Sequence, residues 1–317
     1  MAAEERSIHG AFDTLLSKNL PHVVEKIFFL LDFDSYKLCC MVSKTWNKLL
    51  TSESFQRKAK SVFSRAILED ENKLRIASSF GNIDEVRKLL SNGMLDVNCV
   101  TGCHYSTPLC AATARGHKEI VQLLMDRGAD PNKGDKRGKT PLYMTALSGS
   151  KYDKYVVELL LERGAEPDKA DQMGWTPLHI ATRTGHMKLS KSYSVPAAES
   201  QAVLRMLLDG GADPNKRNQY GETPLHWAAR NGHVEEVKIL MDGGAEVNGK
   251  NKIGRTPLHD AAMCGHKDVV ETLLDGGADP NEVNEEGKTP LSLARERGHT
   301  NVVNILRDSC AKCCQVL

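Results

Sequence analysis

Four potential metal ligands lie close together near residue 100, where Cys99, Cys103, His104 and Cys110 follow one another. Thiolate and imidazole groups are the usual ligands of structural zinc, which is bound by two closely spaced pairs in tetrahedral geometry. No second pair at metal-ligand spacing follows in this sequence to close such a site. We therefore interpret the cluster as a chance grouping, and we expect neither a metal nor a cofactor.

Other motifs that suggest chemistry are incomplete. Gly-Lys-Thr at 138–140 and again at 287–289 is part of a phosphate-binding loop, but the earlier glycine of that motif is replaced by Lys133 and by Glu282. No nucleophile, base and orienting acid stand out, since the polar residues recur at a fixed period along the chain. The sequence predicts that the protein is not an enzyme.

The histidines follow the same period. Eight of the eleven occupy two recurring positions, and this regularity favours hydrogen bonding between repeated units over a role as ligand or base. Three follow Thr-Pro-Leu and five follow a glycine: His179, His226 and His259, then His117, His186, His233, His266 and His299.

The string Thr-Pro-Leu marks the repeated unit itself. It begins at 107, 140, 176, 223, 256 and 289, and the near-constant spacing indicates a solenoid. Each unit adds alanines, a glycine usually followed by histidine, an apolar stripe, and an ending such as the Gly-Ala-Asp-Pro-Asn of 128–132. In these features residues 71–309 resemble the ankyrin repeat. Residues 71–98 lack Thr-Pro-Leu but keep the apolar pattern, so we count seven repeats.

Local physics agrees with that resemblance. Threonine and proline start helices, because one caps the first turn and the other presets its φ angle. The glycine ends the helix by accepting left-handed backbone angles. An insertion near 188–201, rich in serine, lengthens the connection between the two helices of one repeat, and we expect it to be a loop.

The segment before the repeats is a strongly apolar helix. Between residues 21 and 31 apolar side chains cover most of the circumference, which is more surface than about 40 residues can bury alone. The segment either packs on the first repeat as a cap or is covered by another molecule. Its residues resemble the F-box, a three-helix motif that docks on the Skp adaptor of Skp–cullin–F-box ubiquitin ligases. The residues that carry this resemblance, and that it implies contact the adaptor, are Leu20, Pro21, Ile27, Phe28, Leu31, Leu38, Val42 and Trp46.

The predicted organisation is thus all-α, with a short three-helix F-box ahead of an ankyrin solenoid. The boundaries are an N-terminal segment at 1–19, the F-box at 20–57, a helical linker at 58–70, the repeats at 71–309 and a cysteine-rich tail at 310–317. A formal net charge of +1 gives no global attraction to nucleic acid. The first ten residues lack the apolar core of a secretory signal, and the odd number of cysteines is typical of a reducing compartment.

The last four residues, Cys-Gln-Val-Leu, fit the C-a-a-X prenylation motif with leucine last. This form is usually read by geranylgeranyl transferase, so we expect the lipid on Cys314; the alternative is an unmodified end. One lipid gives marginal membrane residence, and Cys313 and Cys310 are candidate palmitoylation sites that would add a second. The expected location is cytoplasmic, at the cytosolic face of membranes.

The resemblance to ankyrin arrays also implies a concave binding surface made of fingers and inner helices. Aromatic residues beside arginines are typical of binding hot spots, although the aromatics could instead pack one finger on the next. We expect a segment with apolar and acidic residues to bind there, and we expect Trp227→Ala with Arg230→Ala to abolish its capture while keeping thermal stability. The candidate residues are Met144, Met173, Trp175, Ile180, Arg183, Tyr220, Trp227 and Arg230.

Two functions remain open. The protein is either a ligase substrate receptor, with the F-box docking the Skp adaptor and cullin core and the array holding a target, or a membrane-tethered ankyrin scaffold without a ligase role. Adaptor binding separates them.

Overall fold

The computed structural model describes residues 69–91, 95–101, 106–148, 150, 152–184, 188–190, 193–194 and 197–313. The F-box residues predicted from the sequence, and Cys314, lie outside these ranges. One compact unit begins at Glu71. In the part of the chain that is described, no helix is both long enough and apolar enough to cross a membrane.

The described chain consists of seven helix pairs, which we number as repeats 1 to 7. In each repeat the first helix is called the inner helix and the second the outer helix. The pairs are 69–80 with Ile83–Ser91, Pro108–Thr113 with Lys118–Asp126, Pro141–Ser148 with Asp153–Glu162, Pro177–Thr184 with Ala197–Asp209, Pro224–Asn231 with Val234–Asp242, Pro257–Cys264 with Lys267–Asp275, and Pro290–Glu296 with Thr300–Cys313. This confirms the predicted all-α class for the described part.

The core runs through the whole stack. From repeat 2 onward each inner helix packs against the inner helices beside it, and each outer helix against neighbouring outer helices. Leucines at the same position of each unit, such as Leu142, Leu178 and Leu225, are fully buried. Because no pair can cover its own apolar faces, stability is shared between neighbouring repeats.

A hairpin turn, which we call a finger, precedes the inner helix of each of repeats 3 to 7. The turn glycine of each finger has a positive φ, for example +78° at Gly174. A Cβ at Gly174 would lie 2.9 Å from the Cα of Asn218 in the next finger. Fingers therefore pack backbone against backbone, which only glycine allows at that position.

Histidines connect each repeat to its neighbour. The Nδ1 atom of His226 lies 2.9 Å from Thr223 Oγ1 and also accepts the Thr223 backbone N–H, while Nε2 lies 3.0 Å from the carbonyl oxygen of Arg255 in the next finger. His179 and His259 make the same contacts. Burial lowers the pKa of His179 and of His226 to about 4, so these rings are neutral near pH 7.

The histidines that follow the glycine at the end of an inner helix form hydrogen bonds with the preceding repeat. Nε2 of His266 lies 2.9 Å from the carbonyl oxygen of Arg230, and that of His299 lies 3.0 Å from the carbonyl oxygen of Met263. Each imidazole thus satisfies a carbonyl group at the end of the preceding inner helix, where intrahelical partners are missing.

The insertion in repeat 4 is more ordered than the loop that we expected. Lys188–Ser190 pairs antiparallel with Tyr193–Ser194, and these are the only strands in the described ranges. The outer helix begins at Ala197 and runs for 13 residues, so 197–201 are helical rather than part of a loop. Residues 197–202, Ala-Ala-Glu-Ser-Gln-Ala, include good helix formers that extend the helix towards its N-terminus. Ser200 Oγ then donates to the carbonyl oxygen of Ala181, 3.1 Å away.

Candidate functional site

The eight predicted target-binding residues separate into exposed and buried groups. Tyr220 and Met173, at the tips of two fingers, are 50% and 42% exposed. Met144, Arg183, Trp227 and Arg230 are partly exposed on the inner helices. Trp175 and Ile180 are buried, with 8% and 0% exposure.

Ile180 cannot contact a target, and its assignment is corrected. The position that it shares with Trp227 in the repeat points mainly into the stack, because the corresponding Asp260 is 0% exposed and Leu293 is 4% exposed. Trp227 and Met144, at the same position of their repeats, are partly exposed.

The two tryptophans form one aromatic pair across repeats 4 and 5. The ring centroids of Trp175 and Trp227 lie 4.6 Å apart at an angle of 59°, a tilted arrangement favourable for aromatic rings. Trp175 also contacts the edge of His179. Trp175, at the end of the finger of repeat 4, therefore packs against inner-helix residues and contacts the partly exposed Trp227 of the next repeat.

Arg183 and Arg230 each lie near one of these rings. The guanidinium carbon of Arg183 is 5.8 Å from the centroid of Trp175, and that of Arg230 is 5.1 Å from the centroid of Trp227. Cations over tryptophan faces are favourable at this range. Each of these two arginines, on adjacent inner helices, thus lies beside one ring of the tryptophan pair.

Arg230 is held by two carboxylates. Its Nη2 atom donates to Glu222 Oε1 at 2.6 Å and to Asp260 Oδ2 at 2.9 Å. The other oxygen of Glu222 accepts the indole N–H of Trp227 at 2.8 Å and the amide of Asn218 at 3.3 Å. One guanidinium therefore pairs with two largely buried acids.

Burial and pairing act in opposite directions on these acids. Burial acts to raise the pKa of Glu222, but the hydrogen bond and charge of Arg230 outweigh it and hold that pKa below its usual value. Burial raises the pKa of Asp260 to about 6 despite the same arginine. Asp260 Oδ1 has no hydrogen-bond partner in the described part of the protein. Asp260 is thus the less well stabilised of the two carboxylates.

The arginines consequently differ in what they can bind. Arg230 is committed to its own carboxylates, whereas Arg183 makes no ion pair with any described residue, and its buried Nε atom has no partner. Of these two arginines, Arg183 is the one without a carboxylate partner among the described residues, and its positive charge is available for an acidic group. Because two buried acids pair with Arg230, the structure instead leads us to expect that its removal lowers thermal stability.

Glu222 and Asp260 hold Arg230 from two sides, an arrangement that we call the clamp. Sequence reasoning missed the clamp, although the sequence contains a signal for it. Glu222 is the acidic exception at a finger position held by Lys139, Trp175, Arg255 and Lys288 elsewhere. Asp260 is likewise the charged exception at an inner-helix position that is otherwise apolar. Two acidic exceptions in adjacent repeats, both near an arginine, indicate a buried ion-pair network.

Two members of the cysteine cluster, Cys103 and His104, lie outside the described ranges. Cys99 and Cys110 are buried, and burial raises the pKa of each thiol to about 12. Cys110 Sγ instead lies 3.5 Å from the carbonyl oxygen of Lys133. No group of three or more His, Cys, Asp or Glu residues within the described ranges could hold a metal ion.

We predict that Arg230→Ala lowers the free energy of unfolding by about 3 kcal/mol, since removing one partner of a buried ion pair leaves the other uncompensated. Urea denaturation of the two proteins measures this. The loss of unfolding free energy should be larger at pH 8 than at pH 5. Without Arg230 the folded-state pKa of Asp260 rises further above its unfolded value. The destabilisation from this carboxylate therefore appears as the pH rises through the folded-state pKa, and it is absent at low pH, where Asp260 is protonated in the folded protein.

The matched control is Arg205→Ala, which removes an exposed arginine from the outer helix of repeat 4 and should change stability by less than about 0.5 kcal/mol. Adding Asp260→Ala to Arg230→Ala should recover part of the loss. Equal stability of the Arg230→Ala variant and the unchanged protein at pH 8 would contradict the clamp.

Comparison with known proteins agrees with this architecture. The family described as ankyrin repeats matches residues 74–171, 129–192 and 195–284. The family described as F-box domain matches residues 18–58, so the F-box resemblance drawn from the sequence is confirmed for the domain. The chain is 35% identical over 83 residues to a mouse 2-5A-dependent ribonuclease, which covers 26% of this chain and 11% of that protein.

Other relatives are equally partial. A zinc finger CCCH domain-containing protein 56 from Arabidopsis thaliana is 36% identical over 87 residues, or 26% of this chain and 12% of the relative. Human ankyrin repeat domain-containing protein 40 is 35% identical over 78 residues, or 25% of this chain and 21% of the relative. The chain thus spans a minor part of each of these relatives. The ankyrin match covers more than half of this chain, and the protein belongs to the ankyrin-repeat family and carries an F-box domain near its N-terminus.

Proposed function

We propose that the protein is the substrate-recognition subunit of a Skp–cullin–F-box ubiquitin ligase. The observation that carries the proposal is the presence of an F-box domain and an ankyrin array in one chain. An F-box implies binding to the Skp adaptor, and ankyrin repeats imply binding to another protein. The chain itself would supply no chemistry. It would raise the effective concentration of a target beside the ubiquitin-charged conjugating enzyme.

The adaptor interaction is the first test, because a scaffold without a ligase role would not bind the Skp adaptor. Ile27→Ala with Phe28→Ala removes two of the apolar side chains that carry the F-box resemblance. We expect co-purification of the Skp adaptor and cullin to fall at least tenfold, since buried apolar anchors carry most of the binding energy of an interface.

Lys37→Ala, a polar change inside the same segment, is the control and should leave adaptor recovery unchanged. Thermal unfolding of the array reports whether either variant damages the repeats. Full recovery of the adaptor with both apolar side chains removed would exclude the ligase function and favour the tethered scaffold.

The target surface is proposed on the inner helices of repeats 3 to 5. Met144 and Trp227 supply partly exposed apolar area, and Arg183 supplies the positive charge that no described residue neutralises. Trp175 is buried and packs against Trp227, so it would position Trp227 without contacting the target itself. A segment with apolar residues and at least one carboxylate fits these groups.

Arg183→Gln should reduce target capture about tenfold, because a carboxylate of the target loses its charge-assisted hydrogen bonds. Capture is measured by quantitative mass spectrometry of proteins that co-purify while cullin activity is inhibited. The matched control, Arg205→Gln, changes the same residue type on the outer helix of the same repeat and should leave capture intact. Both variants should bind the adaptor normally. Unchanged capture with Arg183→Gln would move the target site elsewhere on the array.

Lipid attachment at Cys314 is the third part of the proposal, and it rests on the terminal Cys-Gln-Val-Leu string alone. A lipid at Cys314, with palmitoylation at Cys313 or Cys310 as the second signal, would restrict the ligase to targets at the cytosolic face of a membrane.

Cys314→Ser should move the protein from the membrane fraction to the soluble fraction of lysed cells. Leu317→Ser should keep the protein lipidated but change the attached group from geranylgeranyl to farnesyl, since the last residue selects the transferase. Intact-mass measurement separates the two lipids. An intact mass that includes Val316 and Leu317, on protein that is wholly soluble, would exclude prenylation.

A further inference from the structure

The tips of the fingers in repeats 3 to 7 form one continuous line. We define the fingertip residue as the one before the turn glycine. Backbone hydrogen bonds fix the order, because the carbonyl oxygen of each of the first four fingertip residues accepts an N–H from the following finger at 2.9 to 3.2 Å. The fingertip residues are, in order, Arg137, Met173, Tyr220, Ile253 and Glu286.

The middle of this line is apolar and exposed. Met173, Tyr220 and Ile253 expose 42%, 50% and 47% of their surface to solvent. Single exposed apolar residues are ordinary, but adjacent ones form a patch of the kind that marks an interaction surface. The ends of the line are charged, with Arg137 at one end and Glu286 at the other, and both are exposed. The line thus has an apolar centre and opposite charges at its two ends.

The charges of the whole fingers extend this pattern. Over the same eleven positions in each repeat, fingers 3 to 7 carry net charges of +2, −2, 0, +2 and −3. These values come from residues 130–140, 166–176, 213–223, 246–256 and 279–289. If two copies of this line are aligned in antiparallel orientation, each charged finger of one copy lies opposite a finger of opposite net charge, and the neutral finger 5 lies opposite finger 5. If the two copies are aligned in parallel, each charged finger lies opposite a finger with the same charge.

That pattern is what a two-fold axis requires. In a dimer with two-fold symmetry, each contact of residue i on one copy with residue j on the other is repeated with the copies exchanged. With the axis through finger 5, Tyr220 faces its own counterpart and Met173 faces Ile253 of the second copy. Arg137 faces Glu286 of the second copy, and fingers of opposite net charge lie together along the whole line.

We propose that the fingertip line binds a second copy of this chain in antiparallel orientation, forming a symmetric dimer. The three apolar tips supply contact area, and the charged fingers select the antiparallel register and reject the parallel one. Exposed ion pairs such as that of Glu286 with Lys288, at 3.1 Å, are weak and can exchange partners. This inference goes beyond the proposed function and needs neither an adaptor nor a target.

Charge exchange at the two ends tests the orientation. Arg137→Glu and Glu286→Arg each place like charges together at both ends of the dimer, because symmetry repeats the contact. We expect each single variant of the full chain to raise the dimer dissociation constant about tenfold in sedimentation equilibrium. The variant with both changes restores opposite charges at both ends, and its dissociation constant should return to within about threefold of the original.

A substitution of Tyr220, which lies on the two-fold axis of the proposed dimer, tests the apolar centre of the fingertip line. Tyr220→Asp places two carboxylates opposite each other and should make the protein monomeric. Phe80→Asp, at an aromatic residue that is 81% exposed in repeat 1, is the control and should leave dimerisation unchanged. Thermal unfolding verifies that every variant is folded, and Arg183→Gln should still dimerise, so that failure of target capture and failure of dimerisation are separate results.

Three outcomes would overturn the proposal. The first is a chain that remains monomeric at the highest soluble concentration. The second is a dimer that Tyr220→Asp leaves intact. The third is a doubly exchanged variant no better associated than the single ones, which would mean that Arg137 and Glu286 do not face each other.

Discussion

The contact between one repeat and the next finger is the interaction on which the rest of this structure depends. In three repeats a buried imidazole binds the threonine that begins its own helix and, through its other nitrogen, a carbonyl oxygen of the following finger. One side chain therefore fixes the start of a helix and the position of its neighbour together. Because the fingers are also joined tip to tip by backbone hydrogen bonds, a displacement of one finger would break contacts in two repeats.

This coupling explains which parts of the structure the sequence could predict. Helix starts, turn glycines and the linking histidines are local features that recur at the repeat period, so a single period describes all of them. The number of helix pairs follows from counting that period. The same regularity favours a structural role for the histidines, because a residue that recurs at the same position in several units contributes to the contacts between repeats.

The errors occurred where one repeat differs from the others. The repeat position of Ile180 predicts a surface residue, but its side chain is buried, as are those of Asp260 and Leu293 at the same position. The length of the insertion predicts a loop, although its second part continues the outer helix from Ala197. The clamp on Arg230 was missed because Glu222 and Asp260 lie in different repeats. Periodicity shows that two residues occupy related positions, whereas a hydrogen bond at 2.6 or 2.9 Å requires their coordinates.

The clamp also shows how stability limits the binding surface. An arginine beside a tryptophan has the composition of a hot spot, but Arg230 is already paired with two acids whose burial would be costly without it. Arg183 has the same kind of aromatic neighbour and no carboxylate partner among the described residues. Arg230 is therefore a structural residue and Arg183 a candidate for binding, although each lies beside a tryptophan. The difference is that Glu222 and Asp260 pair with Arg230.

In repeats 3 to 5 the residues proposed to bind a target lie on the inner helices, whereas the residues proposed to contact a second copy lie at the fingertips. A target on the inner helices would leave the tips of Met173, Tyr220 and Ile253 available for a second copy. Two chains joined at their fingertips would present two target surfaces and two F-boxes. A target with two matching segments, or several copies of a target on one membrane, would then be held more tightly than by one chain, because the second binding event becomes intramolecular. Dimerisation at the fingers would in this way increase capture without any change in the contacts that recognise the target.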